Sequence, residues 1–145
     1  MNIHCRPIRG ATNEWQTPPE ILRDLGPFDL DPCQPGSIEG LFLPWQGFVW
    51  LNPPYGKEID TWLQKMAGHR NGIALIFART ETRWFIEWVW QKASSLLFVY
   101  GRIHFYLNGV ECKGNAGGPS VLVGYGPEAD ERLARSSIKG KFLKL

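Results

Sequence analysis

The chain has 145 residues, 43% hydrophobic, 21% charged and 13% aromatic; this is the profile of one compact soluble domain, with no room for a second and no need of a disulfide or structural metal to fold. Cys5, Cys33 and Cys112 form no close pair, so neither a disulfide framework nor a zinc spacing is present; with no apolar leader at the start and no apolar run of membrane-spanning length, a reducing cytoplasm is expected rather than secretion or a membrane. The net charge of +2 is uneven: residues 1–131 carry 11 Lys/Arg against 14 Asp/Glu (−3), whereas residues 132–145 carry Arg132, Arg135, Lys139, Lys141 and Lys144 without an acid (+5).

These features divide the chain into an N-terminal extension (1–13), a main domain (14–131) and a basic tail (132–145) suited to a phosphate backbone. Thr17-Pro18-Pro19-Glu20 opens the first predicted helix. Thr17 is its cap, Pro18 takes the first helical position, Glu20 completes a capping box ahead of Ile21, Leu22 and Leu25, and Gly26 ends it. PFDLD (27–31) reads as a short strand and GFVWL (47–51) as a buried one. After Gly56, the residues Ile59, Trp62, Leu63 and Met66 share a helical face, with Gly68 as the stop. GIALIFA (72–78) is the most apolar run and is expected as a central strand covered on both faces, completing a βαβ unit. Trp84, Phe85, Trp88 and Val89 mark a helix from Thr80 to about Ala93, and SLLFVY (95–100) resumes strand character. RIHFY (102–106) and SVLVGY (120–125) are expected to close the sheet as an antiparallel pair around a Gly-rich loop. The predicted fold is α/β, a mostly parallel sheet with an antiparallel C-terminal edge.

In such a sheet, ligands bind beyond the carboxyl ends of the strands. Polar residues gather there: Asp31 after the first strand, Asn52-Pro53-Pro54-Tyr55 after the second, Arg79-Thr80-Glu81 after the third. Two prolines cannot donate to a ladder, so they drive the chain out of the sheet as a stiff loop rich in carbonyl acceptors. Asn52 adds a side-chain carbonyl. An exocyclic amine on a planar ring is a weak nucleophile because its lone pair is delocalised. Two acceptors gripping its hydrogens localise that pair, and the Tyr55 face can stack on the ring, worth ~1–3 kcal/mol per base in nucleic-acid binders.

Asn-Pro-Pro-Tyr after a strand is a signature of S-adenosylmethionine-dependent amino-methyltransferases. The ordered blocks WQTPPE, FDLDPC, GLFLPW, VWLNPPYG, FARTETRWF and GRIHF, from about Glu14 to Tyr125, resemble the phage-encoded DNA N6-adenine methyltransferases. The resemblance implies a reduced Rossmann-like class I methyltransferase domain over 14–131. It also implies S-adenosyl-L-methionine as cofactor, adenine in DNA as substrate and the cytoplasm of a bacterial host as location. By the same resemblance, Trp15, Thr17, Pro18 and Pro19 pack over the methionine end of the cofactor, and Asp31, Pro32 and Cys33 meet its amino acid or ribose. Asn52, Pro53, Pro54 and Tyr55 hold the adenine, with Asn52 Oδ1 and the Pro53 carbonyl accepting from the amine and Tyr55 stacking on a base extruded from the duplex.

There are departures from that pattern. DPCQPG offers only Gly36 where the family has a glycine-rich turn, and fifteen residues, 32–46, stand between Asp31 and Gly47, where a full βαβ unit needs ~30. Strands of the standard sheet, and the acid that holds the ribose, are therefore missing or improvised; Asp29, Asp31 and Glu39 are the acids nearby. The same four residues also serve methylation of a glutamine amide or an RNA base, and a shortened sheet also suits a degenerate, non-catalytic nucleic-acid-binding module. The oligomeric state is open, a homodimer among the alternatives. Trp62, Trp84, Trp88 and Trp90 read as packing, while Trp15, Trp45 and Trp50 flank the site and suit stacking. Cys33 reads as a packing residue, and the scattered His4, His69 and His104 offer neither a metal site nor a base. The tail and the loop over Gly114–Gly118 are the expected DNA contacts.

Overall fold

One mixed five-stranded sheet organises the computed structural model, which describes residues 16–33, 37–54, 56–107, 109–111 and 117–145. In chain order the strands are β1 (Val49–Leu51), β2 (Gly72–Phe77), β3 (Ser95–Val99), β4 (Tyr106–Leu107), β5 (Val110–Glu111), β6 (Ser120–Tyr125) and β7 (Gly140–Lys144). The helices are α1 (Pro19–Leu25), α2 (Ile59–His69), α3 (Arg83–Phe85) and α4 (Pro127–Ala134). The sheet order is β1-β2-β6-β3-β7, and β4 and β5 pair separately as a small hairpin. Only β1 and β2 pair in parallel; β2–β6, β6–β3 and β3–β7 are antiparallel. Because β6 runs against both of its neighbours, β1, β2 and β3 still point the same way. Among the described residues no helix is long and apolar enough to cross a membrane.

Strict alternation builds two apolar layers. Leu51, Ala74, Ile76, Leu96, Val121 and Val123 face α2 together with Phe85 and Val89, while Trp50, Ile73, Leu75, Leu97 and Leu122 face α1 and α4. Each fully buried aliphatic side chain contributes roughly 1.5–3 kcal/mol. The α1/α4 layer needs a smooth spot at Gly124, where a Cβ would stand 2.2 Å from Ser95 Oγ and 3.0 Å from Leu133 Cδ1.

Several elements differ from the sequence-based expectation, each for a local reason. PFDLD is no strand: between Pro27 and Pro32 it makes a single parallel bridge, Leu30 with Val49, and the Asp29 carboxylate takes the Phe48 N–H at 2.7 Å in place of a backbone acceptor. α1 begins at Pro19, with Pro18 as its cap residue and no side-chain cap, one residue later than the capping box predicts. Gly68 lies inside α2, which ends instead at Arg70 in the left-handed conformation, φ 57°. The segment after Thr80 starts at a Thr82 cap and passes from α3 into a π-turn over Ile86–Trp90. SVLVGY is not an edge but the middle strand β6, RIHFY contributes only Tyr106 to a strand, and the sheet is accordingly mostly antiparallel by adjacency.

Residues 132–145 are not a solvated tail. Arg132 lies 4.1 Å over the Phe48 ring, and its guanidinium donates to the carbonyls of Leu25 (3.0 Å) and Pro27 (2.6 Å), satisfying the end of α1. β7 closes the sheet edge, and Asp130 fastens it. Its carboxylate accepts from Ser94 Oγ (2.6 Å), Ser95 Oγ (2.5 Å) and Lys144 Nζ (2.9 Å). Burial pushes this carboxyl up, but the two hydroxyls and the ammonium outweigh it and hold Asp130 below the ordinary carboxylate range. A lowered folded-state pKa means the contribution is complete above the unfolded value, near pH 4, and is lost as pH falls through the folded one. Asp130→Ala, which leaves the fully buried Ser95 hydroxyl without this acceptor, is expected to cost ~1–3 kcal/mol in urea denaturation at pH 7, with the gap to the parent protein narrowing below pH 4.

Candidate active site

β1 stops where Pro53 and Pro54 remove two N–H donors. Pro53 is buried and Pro54 half-buried, so this corner is packed as well as stiff. The half-buried Asn52 side chain turns toward the start of α1, and its Nδ2 donates to Thr17 Oγ1 at 3.0 Å. Thr17 does not cap α1, whose cap residue is Pro18; its hydroxyl instead accepts from a residue 35 positions away. Thr17 is only 9% exposed and Pro18 is buried beside it. Gln16 exchanges backbone bonds of 2.8 and 2.9 Å with Tyr106, so Thr17 is held between that bridge and α1. With Nδ2 committed to Thr17, the fixed amide plane leaves Oδ1 as the acceptor end of the side chain.

The Leu30–Val49 bridge is parallel, so Asp31 leaves the sheet at the end where Asn52 does. The Asp31-Pro32-Cys33 turn is backed by a short 3₁₀ turn, Glu39–Leu41. A Cβ on Gly40 would stand 2.0 Å from the Pro32 carbonyl oxygen, and Gly40 is fixed in turn by Trp45 Nε1 donating to its carbonyl at 2.9 Å. Lys65 Nζ donates to the carbonyls of Leu41 and Leu43. Asp31 keeps an exposed edge, yet burial pushes its carboxyl up to about 6, against the opposing pull of the Cys33 backbone. Burial, and then the Asp31 charge, push the Cys33 thiol up to about 12. It therefore stays protonated and unreactive at neutral pH, in keeping with a packing role.

At the carboxyl end of β2, Arg79 is exposed with its guanidinium 5.5 Å from the Phe77 ring centroid. Thr80 caps nothing; the cap is Thr82, which accepts from the Phe85 N–H at 3.3 Å. Ser120 pairs with Phe77 across the sheet at this end, is 2% exposed, and its hydroxyl is a buried polar group with no partner among the described residues. Thr17, Pro18 and Asn52 are thus brought together, and Asp31, Pro32 and Cys33 emerge at the same end of the sheet. Trp45 and Trp50, at 8% and 2% exposure, are core residues with no face to offer a ring. Trp15, Tyr55 and residues 114–116 lie outside the described residues.

Two features of this end are absent from the sequence reading. The Gln16–Tyr106 bridge is one residue pair long and leaves no periodic signal. Ser120 leaves a weak one, a hydroxyl opening an otherwise apolar run. Chemically, the site offers an amide acceptor and a proline carbonyl at a rigid corner, a carboxyl easily protonated, an orphaned hydroxyl, and no activated nucleophile among the described residues. Compared with protein-family models, curated proteins and solved structures, the chain matches none.

The raised pKa of Asp31 carries a sign that can be checked. The folded protein holds this proton more tightly than the unfolded chain does, so between about pH 4 and 6 ionisation of Asp31 opposes folding. Asp31→Asn is therefore expected to gain melting temperature relative to the parent protein as pH rises from 4 to 7, with most of the gain complete just above pH 6. A difference in melting temperature independent of pH would show the carboxyl to be fully solvated.

Proposed function

We propose that the chain is a small S-adenosylmethionine-dependent methyltransferase acting on the N6 amino group of adenine in DNA, built on a reduced Rossmann-like sheet. The observation that carries this reading is the Asn52–Thr17 hydrogen bond of 3.0 Å. It joins the block expected at the cofactor's methionine end to the block expected to hold the amine. The shared direction of β1, β2 and β3 adds support, because it sends Asp31, Asn52 and Arg79 to one side of the sheet. The residues fit the cofactor: the crowded Asp31 carboxyl gains from ribose hydroxyls or an ammonium, Ser120 Oγ lacks a partner among the described residues, and Thr17 and Pro18 form a buried wall. When bound, S-adenosylmethionine supplies an electrophilic methyl group.

This chain's own residues prepare the amine. Asn52 Oδ1 and the Pro53 carbonyl accept its two hydrogens and draw the lone pair out of conjugation with the ring. The acceptor dipoles are fixed beforehand, Asn52 by Thr17 and Pro53 by its own ring, so they need no reorganisation as positive charge develops on nitrogen. Positioning supplies the rest of the acceleration. No general base is required: as the new N–CH3 bond forms and the C–S bond to the sulfonium breaks, leaving a neutral thioether, the nitrogen becomes a positively charged N-methyl ammonium, and only then does one of its protons become acidic and leave to water. Asn52→Ala is expected to lower tritium transfer from labelled S-adenosylmethionine to DNA by ~10²-fold or more, while calorimetric affinity for S-adenosylhomocysteine changes little. Undiminished transfer in the variant would remove Asn52 from the reaction, and label appearing in RNA or protein but not DNA would overturn the substrate.

A further inference from the structure

The edge of the sheet far from Asn52 carries a second surface that methyl transfer does not use. β3 and β7 pair with Phe98 opposite Lys141 and Val99 opposite Gly140, and the next pair is joined by the Tyr100 N–H donating to the Lys139 carbonyl at 3.0 Å. Alternation sets Val99 and Phe142 toward the α1/α4 layer, and Phe98 toward the opposite one. Tyr100, Lys139, Phe98 and Lys141 therefore share one face, an aromatic ring directly across from a lysine in each of two alternate pairs on that face.

Tyr100 is 65% exposed and both lysines are exposed, while Phe98 is half-buried, part of its ring packed on the core and part accessible. Gly101, at φ 74°, turns the chain away immediately after Tyr100. Neither lysine joins an ion pair among the described residues, and the α4 acids Glu128, Asp130 and Glu131, on the opposite face of the sheet, are paired with Arg132, Lys144 and Arg135. The strip is thus positive as well as aromatic. Lysines on an edge strand guard against sheet-to-sheet pairing, but that role does not account for an aromatic ring opposite each of them.

We propose that this strip of β3 and β7 binds single-stranded nucleic acid, with Tyr100 and Phe98 stacking on successive bases and Lys139 and Lys141 on the phosphates. Every base has a stackable face, so such a platform is indifferent to sequence. Lys139 directly precedes β7 and Lys141 lies within it; residues two apart in extended backbone stand about 6.6–6.8 Å from each other, close to the separation of neighbouring phosphates in an extended strand. The surface is separate from the Asn52 corner and does not require adenine.

Fluorescence anisotropy of the full chain with labelled twenty-nucleotide oligo(dT) and oligo(rU) tests this, because neither polymer contains the methylation target. Binding of either supports the platform, and the tighter of the two identifies the sugar it takes. Tyr100→Ala is expected to weaken binding about tenfold or more, with Tyr100→Phe close to the parent protein. Lys139→Gln with Lys141→Gln is expected to reduce the slope of log affinity against log salt by about 1.4. Melting temperatures confirm that these exposed substitutions leave the fold intact. No binding of either polymer by the parent protein, or binding that both sets of variants leave unchanged, overturns the proposal even if adenine methylation is intact; so does self-association of the lysine variant at unchanged affinity, which assigns the lysines to edge protection.

Discussion

The hydrogen bond from Asn52 Nδ2 to Thr17 Oγ1 is the constraint on which this structure's chemistry depends. The Thr17 hydroxyl receives Asn52, and α1 starts two residues later at Pro19 without a side-chain cap. The amide that ends β1 thereby has a fixed plane. The two prolines behind it have no N–H to offer, so the corner presents acceptors without competing donors. A side chain free to rotate would have to be ordered each time an amine arrived; this one is ordered by the fold.

What brings Thr17 and Asn52 within reach is the sheet. β1 and β2 are joined by α2 in parallel, and β6 returns between β2 and β3, so that three strands deliver their carboxyl ends to one side although most neighbours are antiparallel. The basic C-terminal residues serve this architecture before anything else. Arg132 closes the end of α1, and Lys144 with Asp130 ties β7 to α4. Among the described residues, Lys139 and Lys141 are the exposed lysines of this edge outside an ion pair, and each faces an aromatic residue.

Strongly periodic elements were legible from the sequence. Ile59, Trp62, Leu63 and Met66 mark α2, and GIALIF marks β2, because burial on a fixed face imposes the helical spacing in one and continuous apolarity in the other. The polar corner at 52–54 was legible because two prolines after a buried strand allow few conformations. What was not legible rests on long-range competition for a single group. That Thr17 receives Asn52, 35 positions away, is fixed by the tertiary fold, and whether SVLVGY lies at an edge or in the middle is decided by which strands reach it. Composition cannot distinguish a lysine in solvent from one anchored to Asp130, so the basic run 132–145 gives no sign of the strand β7 it contains. Trp45 and Trp50 were misplaced for a related reason: tryptophan suits stacking and core packing equally, and here the core holds both.

The most direct measurement is nuclear magnetic resonance of the ¹⁵N-labelled chain during titration with S-adenosylhomocysteine, following the side-chain amide of Asn52 and the backbone amide of Thr17. The account predicts that both resonances shift together and saturate at one equivalent. Saturable shifts confined to residues remote from this pair, or no shifts at all, would contradict it.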